Sequence, residues 1–126
     1  MFTSSKTNAQ KRERNGLTSY FLLDRRSVVK PNLAVTWVTV AVGSRQISHH
    51  HEPEQVYVIV QGKGEMQVGA ETQLLQAGDL VYIPSNFEHG IVNTGNEELT
   101  YISAATPPFD LTEAYDRGQL KAESYL

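Results

Sequence analysis

Residues 48–62 read SHHHEPEQVYVIVQG: three consecutive histidines, then glutamates and a glutamine, then a β-prone apolar run. An extended chain alternates its side chains between two faces, so His49 and His51 share one face, about 7 Å apart along the backbone, while His50 points the other way. Carried along an unbroken strand, the same parity places Gln55, Tyr57 and Ile59 with His49 and His51. It sends Glu52, Glu54, Val56 and Val58 to the opposite side. Imidazole is the commonest protein ligand for Zn, Fe, Mn, Ni and Cu, and a His-x-His pair on one face can close on one cation. The competing reading is a polar turn that happens to hold histidines.

The fourth histidine lies in GDLVYIPSNFEHGIVN, residues 78–93, where parity groups His89 with Ile91 and Asn93. Two histidines facing inward from one strand and a third from a later strand would converge inside a barrel. Around these stretches the chain breaks into short β-type runs at 19–23, 33–42, 56–61, 65–68, 72–76, 80–83, 90–93 and 99–104. Turn residues such as Pro31-Asn32, Gly62-Lys63-Gly64 and Thr94-Gly95-Asn96 separate them. Short strands punctuated at this interval predict an all-β sandwich or barrel, with no internal repeat. Residues 1–16 are polar and aperiodic and read as a flexible arm, 17–110 as the barrel, and 111–126 as a tail. Within the tail Leu111–Leu120 carries a helical pattern, with Asp110 as N-cap and Glu113 at the third helical position.

The run Val56–Val60 is apolar on both parities, as are parts of Leu33–Val42, where Trp37 sits among Val35, Val38 and Val40. Trp37 and these valines read as core. Apolar residues on both faces predict that the outer face meets another sheet or a second copy of the chain, hence a homodimer.

Eleven Lys and Arg against fourteen Asp and Glu give a formal net charge of −3, which offers no electrostatic case for nucleic acid or an anionic membrane. The basic cluster Lys11-Arg12-Arg14 includes Glu13 and reads as a solvated segment. With no cysteine there is no disulfide, thiolate metal site or thiol nucleophile. No apolar run approaches the ~18 residues of a membrane span, and the first thirty residues lack a signal-type apolar region, so the expected location is cytoplasmic.

The spacing of the histidine motifs resembles that of the cupin superfamily, in its small RmlC-like form. That family's motifs are Gly-x5-His-x-His-x3/4-Glu-x6-Gly and Gly-x5-Pro-x-Gly-x2-His-x3-Asn. Gly43, His49, His51 and Gly62 meet the first, with Gln55 at the glutamate's place. Gly78, Pro84, His89 and Asn93 meet the second, with Asn86 in place of the inner glycine; asparagine tolerates the left-handed backbone a turn glycine supplies. The resemblance covers residues 43–93. It implies a double-stranded jelly-roll barrel, usually homodimeric, binding one divalent metal per chain (Fe, Mn, Ni, Zn or Co). The implied ligands are His49, His51, Gln55 and His89.

Glu54 stays open as the alternative to Gln55, because a β-bulge near Pro53 would reverse the facing. Tyr57 and Asn93 are candidates by parity for supporting the ligands or the substrate, and Phe109 is a further one, in TPPFD, whose prolines would pin a lip of the barrel. Two functions remain in play. One is an enzyme of isomerase, lyase or dioxygenase type on a small polar or sugar-acid-like substrate. The other is a module that binds metal or small ligand without turnover.

Overall fold

The computed structural model describes residues 1–108 and is all-β over that range. Ten strands form in sequence order: β1 Gln10–Arg14, β2 Leu17–Leu23, β3 Ala34–Val40, β4 Arg45–His49, β5 Glu54–Gln61, β6 Lys63–Val68, β7 Glu71–Gln76, β8 Leu80–Ile83, β9 His89–Asn93 and β10 Leu99–Thr106. They build a six-stranded sheet ordered β1-β2-β3-β10-β5-β8 and a four-stranded sheet ordered β4-β9-β6-β7, with every pairing antiparallel. From β3 onward the chain passes repeatedly between the sheets, which is the jelly-roll arrangement.

Alternation decides what fills the space between the sheets. In β3, Ala34, Thr36, Val38 and Val40 are buried while Val35, Trp37 and Thr39 are half-exposed. The core consists of Leu17, Phe21, Val38, Val40, Tyr57, Ile59, Met66, Leu75, Ile83, Ile91, Leu99 and Tyr101. Val38 and Val40 therefore occupy the core as expected, whereas Val35 and Trp37 lie on the outer face of the six-stranded sheet. The expectation of a core Trp37 failed because its apolar neighbours gave no parity.

Register explains the two-sided apolar strands. Tyr20 pairs with Trp37, Trp37 with Ile102, Ile102 with Val58 and Val58 with Leu80, making one apolar row across five strands. A second row joins Val35, Ala104, Val56 and Tyr82. The N-terminal segment lies over one end of the first row: Lys6 Nζ stands 5.2 Å from the Tyr20 ring centroid and 5.0 Å from that of Trp37.

Residues 10–14 depart from the expected arm, since they form β1 and pair with β2 from Gln10↔Phe21 to Arg14↔Leu17. The cause is Asn15-Gly16, whose φ angles of 48° and 85° make the left-handed two-residue turn that joins tight hairpins. Alternating charge along β1 had concealed the strand, yet it suits an edge that must not recruit further chains. β4 was also missed, because RQISH lacks apolar alternation. The expected helix at 111–120 and Phe109 lie outside the described residues.

Candidate metal centre

One end of the sandwich collects the chemistry-bearing residues from both sheets. His49 ends β4 and His89 begins β9, and the two are direct partners across the four-stranded sheet. His51 lies in the connection that carries the chain to the six-stranded sheet, and Gln55 sits at the start of β5 there. Parity survives this crossing: His49, His51, Pro53 and Gln55 are buried, while His50, Glu52 and Glu54 are exposed.

Two local devices hold the histidines in place. β4 carries a bulge, since Gln46 pairs with Ile91 but His49 pairs with His89, leaving Ile47 and Ser48 opposite Gly90. The bulge lets Gln46 and His49 both face inward despite their odd separation. Gly90 accommodates it, because a Cβ there would stand 2.8 Å from the Gln46 carbonyl oxygen. The second device is the turn after β8. Asn86 adopts a φ of 64°, the left-handed conformation expected at the glycine's place, and its backbone N–H donates to the His51 carbonyl at 2.8 Å. Ser85 Oγ donates to the Glu52 carbonyl, so the turn that precedes His89 also fixes the loop holding His51.

Ring centroids of His49 and His89 stand 4.4 Å apart, those of His51 and His89 4.9 Å, and those of His49 and His51 5.6 Å. In each ring Nδ1 lies 2.9 Å from a backbone carbonyl, that of Ile47 for His49, Pro53 for His51 and Phe87 for His89. A carbonyl can only accept, so Nδ1 carries the proton in all three rings and Nε2 keeps its lone pair. Burial pushes His49 down to about 4 and His89 down to about 3, the latter with help from His49, and it lowers His51 as well. All three rings are therefore neutral at neutral pH, the state in which imidazole binds metal.

The donor set fits a cation. One ligand atom from each of the three histidines lies within 4.8 Å of the others. His89 Nε2 is buried without a hydrogen-bond partner, although a buried polar atom left unmatched costs about 1–3 kcal/mol. Gln55 Oε1 lies 3.0 Å from His51 Nε2, so two lone-pair atoms face one another, an approach that a shared cation makes favourable. The backbone carbonyls at Nδ1 of these three rings match the usual orienting shell of metal-bound histidine.

The remaining sequence candidates divide clearly. Gln55 joins the histidines, while Glu54 is exposed and accepts a hydrogen bond from Tyr82 at 3.2 Å. Tyr57 stands 6.2 Å from the His89 ring, but its hydroxyl donates to Gln46 Oε1 at 2.8 Å and burial raises it well above the ordinary phenol range. Its ring stacks on Tyr101 at 4.2 Å. Asn93 lies at the far end of β9 from His89, about 13 Å along the strand. There its amide donates to the Val40 and Glu97 carbonyls and accepts from Gly95 N–H, closing the turn toward β10. Sequence reading missed Gln46, Tyr101 and Ser103. Ser103 shares the inward parity of Leu99 and Tyr101, but only the β10–β5 register brings it to Gln55.

Fold and site together define a small jelly-roll barrel with a three-histidine centre at one end. The chain belongs to the cupin domain family, whose sequence model matches residues 36–105. It is 32% identical over 91 residues to an uncharacterized protein of Methanocaldococcus jannaschii, covering 67% of this chain and 73% of that one. It is 34% identical over 62 residues to a protein of Thermotoga maritima named as oxalate-binding, covering 48% of this chain and 51% of that one. In fold it resembles an RmlC-like cupin from Shewanella frigidimarina, with a TM-score of 0.73 at 21% identity over 86% of this chain and 92% of the other.

Proposed function

We propose that the protein holds one divalent metal ion through His49, His51, His89 and the amide oxygen of Gln55, and uses it to capture a small carboxylate-bearing molecule. The observation that carries this reading is the shared arrangement of the rings, each with Nδ1–H spent on a carbonyl and Nε2 turned toward the others. When bound, the ion would supply Lewis acidity, polarising a carbonyl or acidifying a hydroxyl. The protein's part is to hold it with four neutral donors, which leave its formal charge at +2 and favour an anion. The exposure of Glu52, Glu54 and Glu88 keeps that charge uncompensated. The likeness to an oxalate-binding protein supports a small carboxylate as the ligand class. The two outer apolar rows support a homodimer formed through the six-stranded sheet.

Turnover of the captured molecule, of isomerase, lyase or dioxygenase type, is the first reading of its fate after binding. Capture without turnover is the second, and a specific observation favours it. Glu52, Glu54 and Glu88 are exposed and the Tyr57 phenol is engaged with Gln46, so none of these four groups is set as a proton carrier beside the histidines. Calorimetry with oxalate on metal-loaded and metal-stripped protein tests the proposal. Binding that requires the metal is expected, and equal binding to both forms would overturn it. A turnover assay over sugar acids and small dicarbonyl compounds then separates the two readings.

A further inference from the structure

Gln55 differs from the histidines in one physical respect: its two terminal atoms have nearly the same size but opposite hydrogen-bonding character. An amide turned with its NH2 group inward would set a donor against a cation. The rest of the side chain is buried, so whatever holds its outer end decides which atom faces the rings. That end meets β10. Gln55 Nε2 donates to Ser103 Oγ, and both side chains are buried, at 8% and 5% exposure. Ser103 has its place by register: Ala105 pairs with Gln55 and Ser103 with Tyr57, on the strand beside β5.

We infer that Ser103 is a positioning residue for this centre: by accepting the Gln55 Nε2–H, it turns the amide oxygen toward His49, His51 and His89. The inference rests on the cation reading of those residues. Ser103 is not itself a ligand of the cation in this arrangement and acts only through Gln55. A serine hydroxyl can also donate, so the reverse arrangement is the alternative: Oε1 accepts from Ser103 and the NH2 group donates to His51 Nε2. A cation at the centre selects between the two, because only the first presents an oxygen.

The role predicts a sign that packing alone does not. With glutamine at 55, Ser103 must accept, and losing it frees the amide to rotate. With glutamate at 55, both outer atoms are oxygens, so orientation ceases to matter. Ser103 must then donate, which draws electron density from the carboxylate and weakens it as a ligand. Ser103→Ala should therefore loosen the metal in the native background, by about tenfold as is typical for a lost orienting contact. In a Gln55→Glu background the same change should leave the affinity unchanged or raise it.

The test is a competition titration of Co(II) against a chromophoric chelator on the full-length protein, with the visible Co(II) spectrum as a second readout. Native protein, Ser103→Ala, Ser103→Thr, Gln55→Glu and Gln55→Glu/Ser103→Ala would be compared. Ser103→Thr keeps the hydroxyl and should restore the native affinity and spectrum. If Ser103→Ala does not fold, Ser103→Cys, similar in size with a poor acceptor, should show the same loosening. Native binding with an unchanged Ser103→Ala affinity would overturn the positioning role and leave the cation site standing. Equal losses from Ser103→Ala in both backgrounds would also overturn it. Absence of Co(II) binding to native protein would instead remove the cation reading itself, and the inference with it.

Discussion

His49 and His89 face each other as direct partners across the β4–β9 ladder, with ring centroids 4.4 Å apart. Two imidazoles held that close in a buried position resist becoming cations, burial first and their mutual repulsion second. Their positions are set by backbone pairing and by the carbonyls of Ile47 and Phe87, so the arrangement belongs to the folded chain. Elemental analysis of native protein should find close to one divalent metal per chain. The His49→Ala/His51→Ala variant should lose it while remaining folded by circular dichroism. Metal well below one per chain, unchanged in the variant, would refute the centre.

Gly90 offers a test of how the bulge supports the site. A methyl group at 90 would stand 2.8 Å from the Gln46 carbonyl oxygen and 3.1 Å from the Ser48 backbone nitrogen, neither of which is a flexible side-chain end. Gly90→Ala should cost about 1–3 kcal/mol of stability as overpacking does. Because relief requires β4 to move, metal affinity should fall with it. A variant with native melting temperature and native affinity would show that the bulge carries no positional role.

Much of this arrangement is legible in the sequence alone. Parity placed His49, His51 and Gln55 together and sent Glu54 outward, and it succeeded although the chain is not one strand there. Alternation simply persisted through the crossover between sheets. Strand β1 stayed hidden because charge masked alternation, although Asn15-Gly16 is a strong hairpin signal that composition overrode. Trp37 was misplaced for the opposite reason, since a strand apolar on both faces carries no parity. The partners of Tyr57 and Gln55 depend on inter-strand register. Nothing local in RQISH or LTYISAAT states which residue of another strand will stand opposite.

Asn86 separates a conformational requirement from a side-chain one. Its φ of 64° is what the turn needs, while its side-chain contact is a long 3.4 Å approach to Ser85 Oγ. Asn86→Gly should keep native stability and metal affinity. Asn86→Val should cost about 1–2 kcal/mol, because a β-branched residue resists the left-handed region. Since the Asn86 N–H anchors the His51 carbonyl, that loss should also loosen the metal. Equal behaviour of the two variants on thermal unfolding would contradict this division.

The apolar rows on the six-stranded sheet predict self-association. Leu80 and Tyr82 are 59% and 51% exposed at one end of the rows, where a partner sheet would cover them. Light scattering at micromolar concentration should give twice the chain mass. Val58→Lys/Leu80→Lys, which sets charge on adjacent strands of the first row, should give a monomer with the metal retained. A native protein already monomeric at that concentration would rule the dimer out.

Gln55 and Glu54 are neighbours with opposite fates, and exchanging their roles is the sharpest test of the ligand set. Gln55 Oε1 faces His51 Nε2 at 3.0 Å, whereas Glu54 is exposed and bonded to Tyr82. Gln55→Glu keeps the donor geometry and adds a negative charge, so metal should be held about tenfold or more tightly, as charge-assisted contacts are the stronger ones. The same charge reduces the centre's pull on an anion, so oxalate binding should weaken even as metal occupancy rises. Gln55→Ala should loosen the metal, and Glu54→Ala should change neither property. If Glu54→Ala strips the metal and Gln55→Glu is silent, the ligand at this position is Glu54. The strand would then be bulged near Pro53 in solution, and the anion-seeking centre with four neutral donors would give way to one with a single compensating charge.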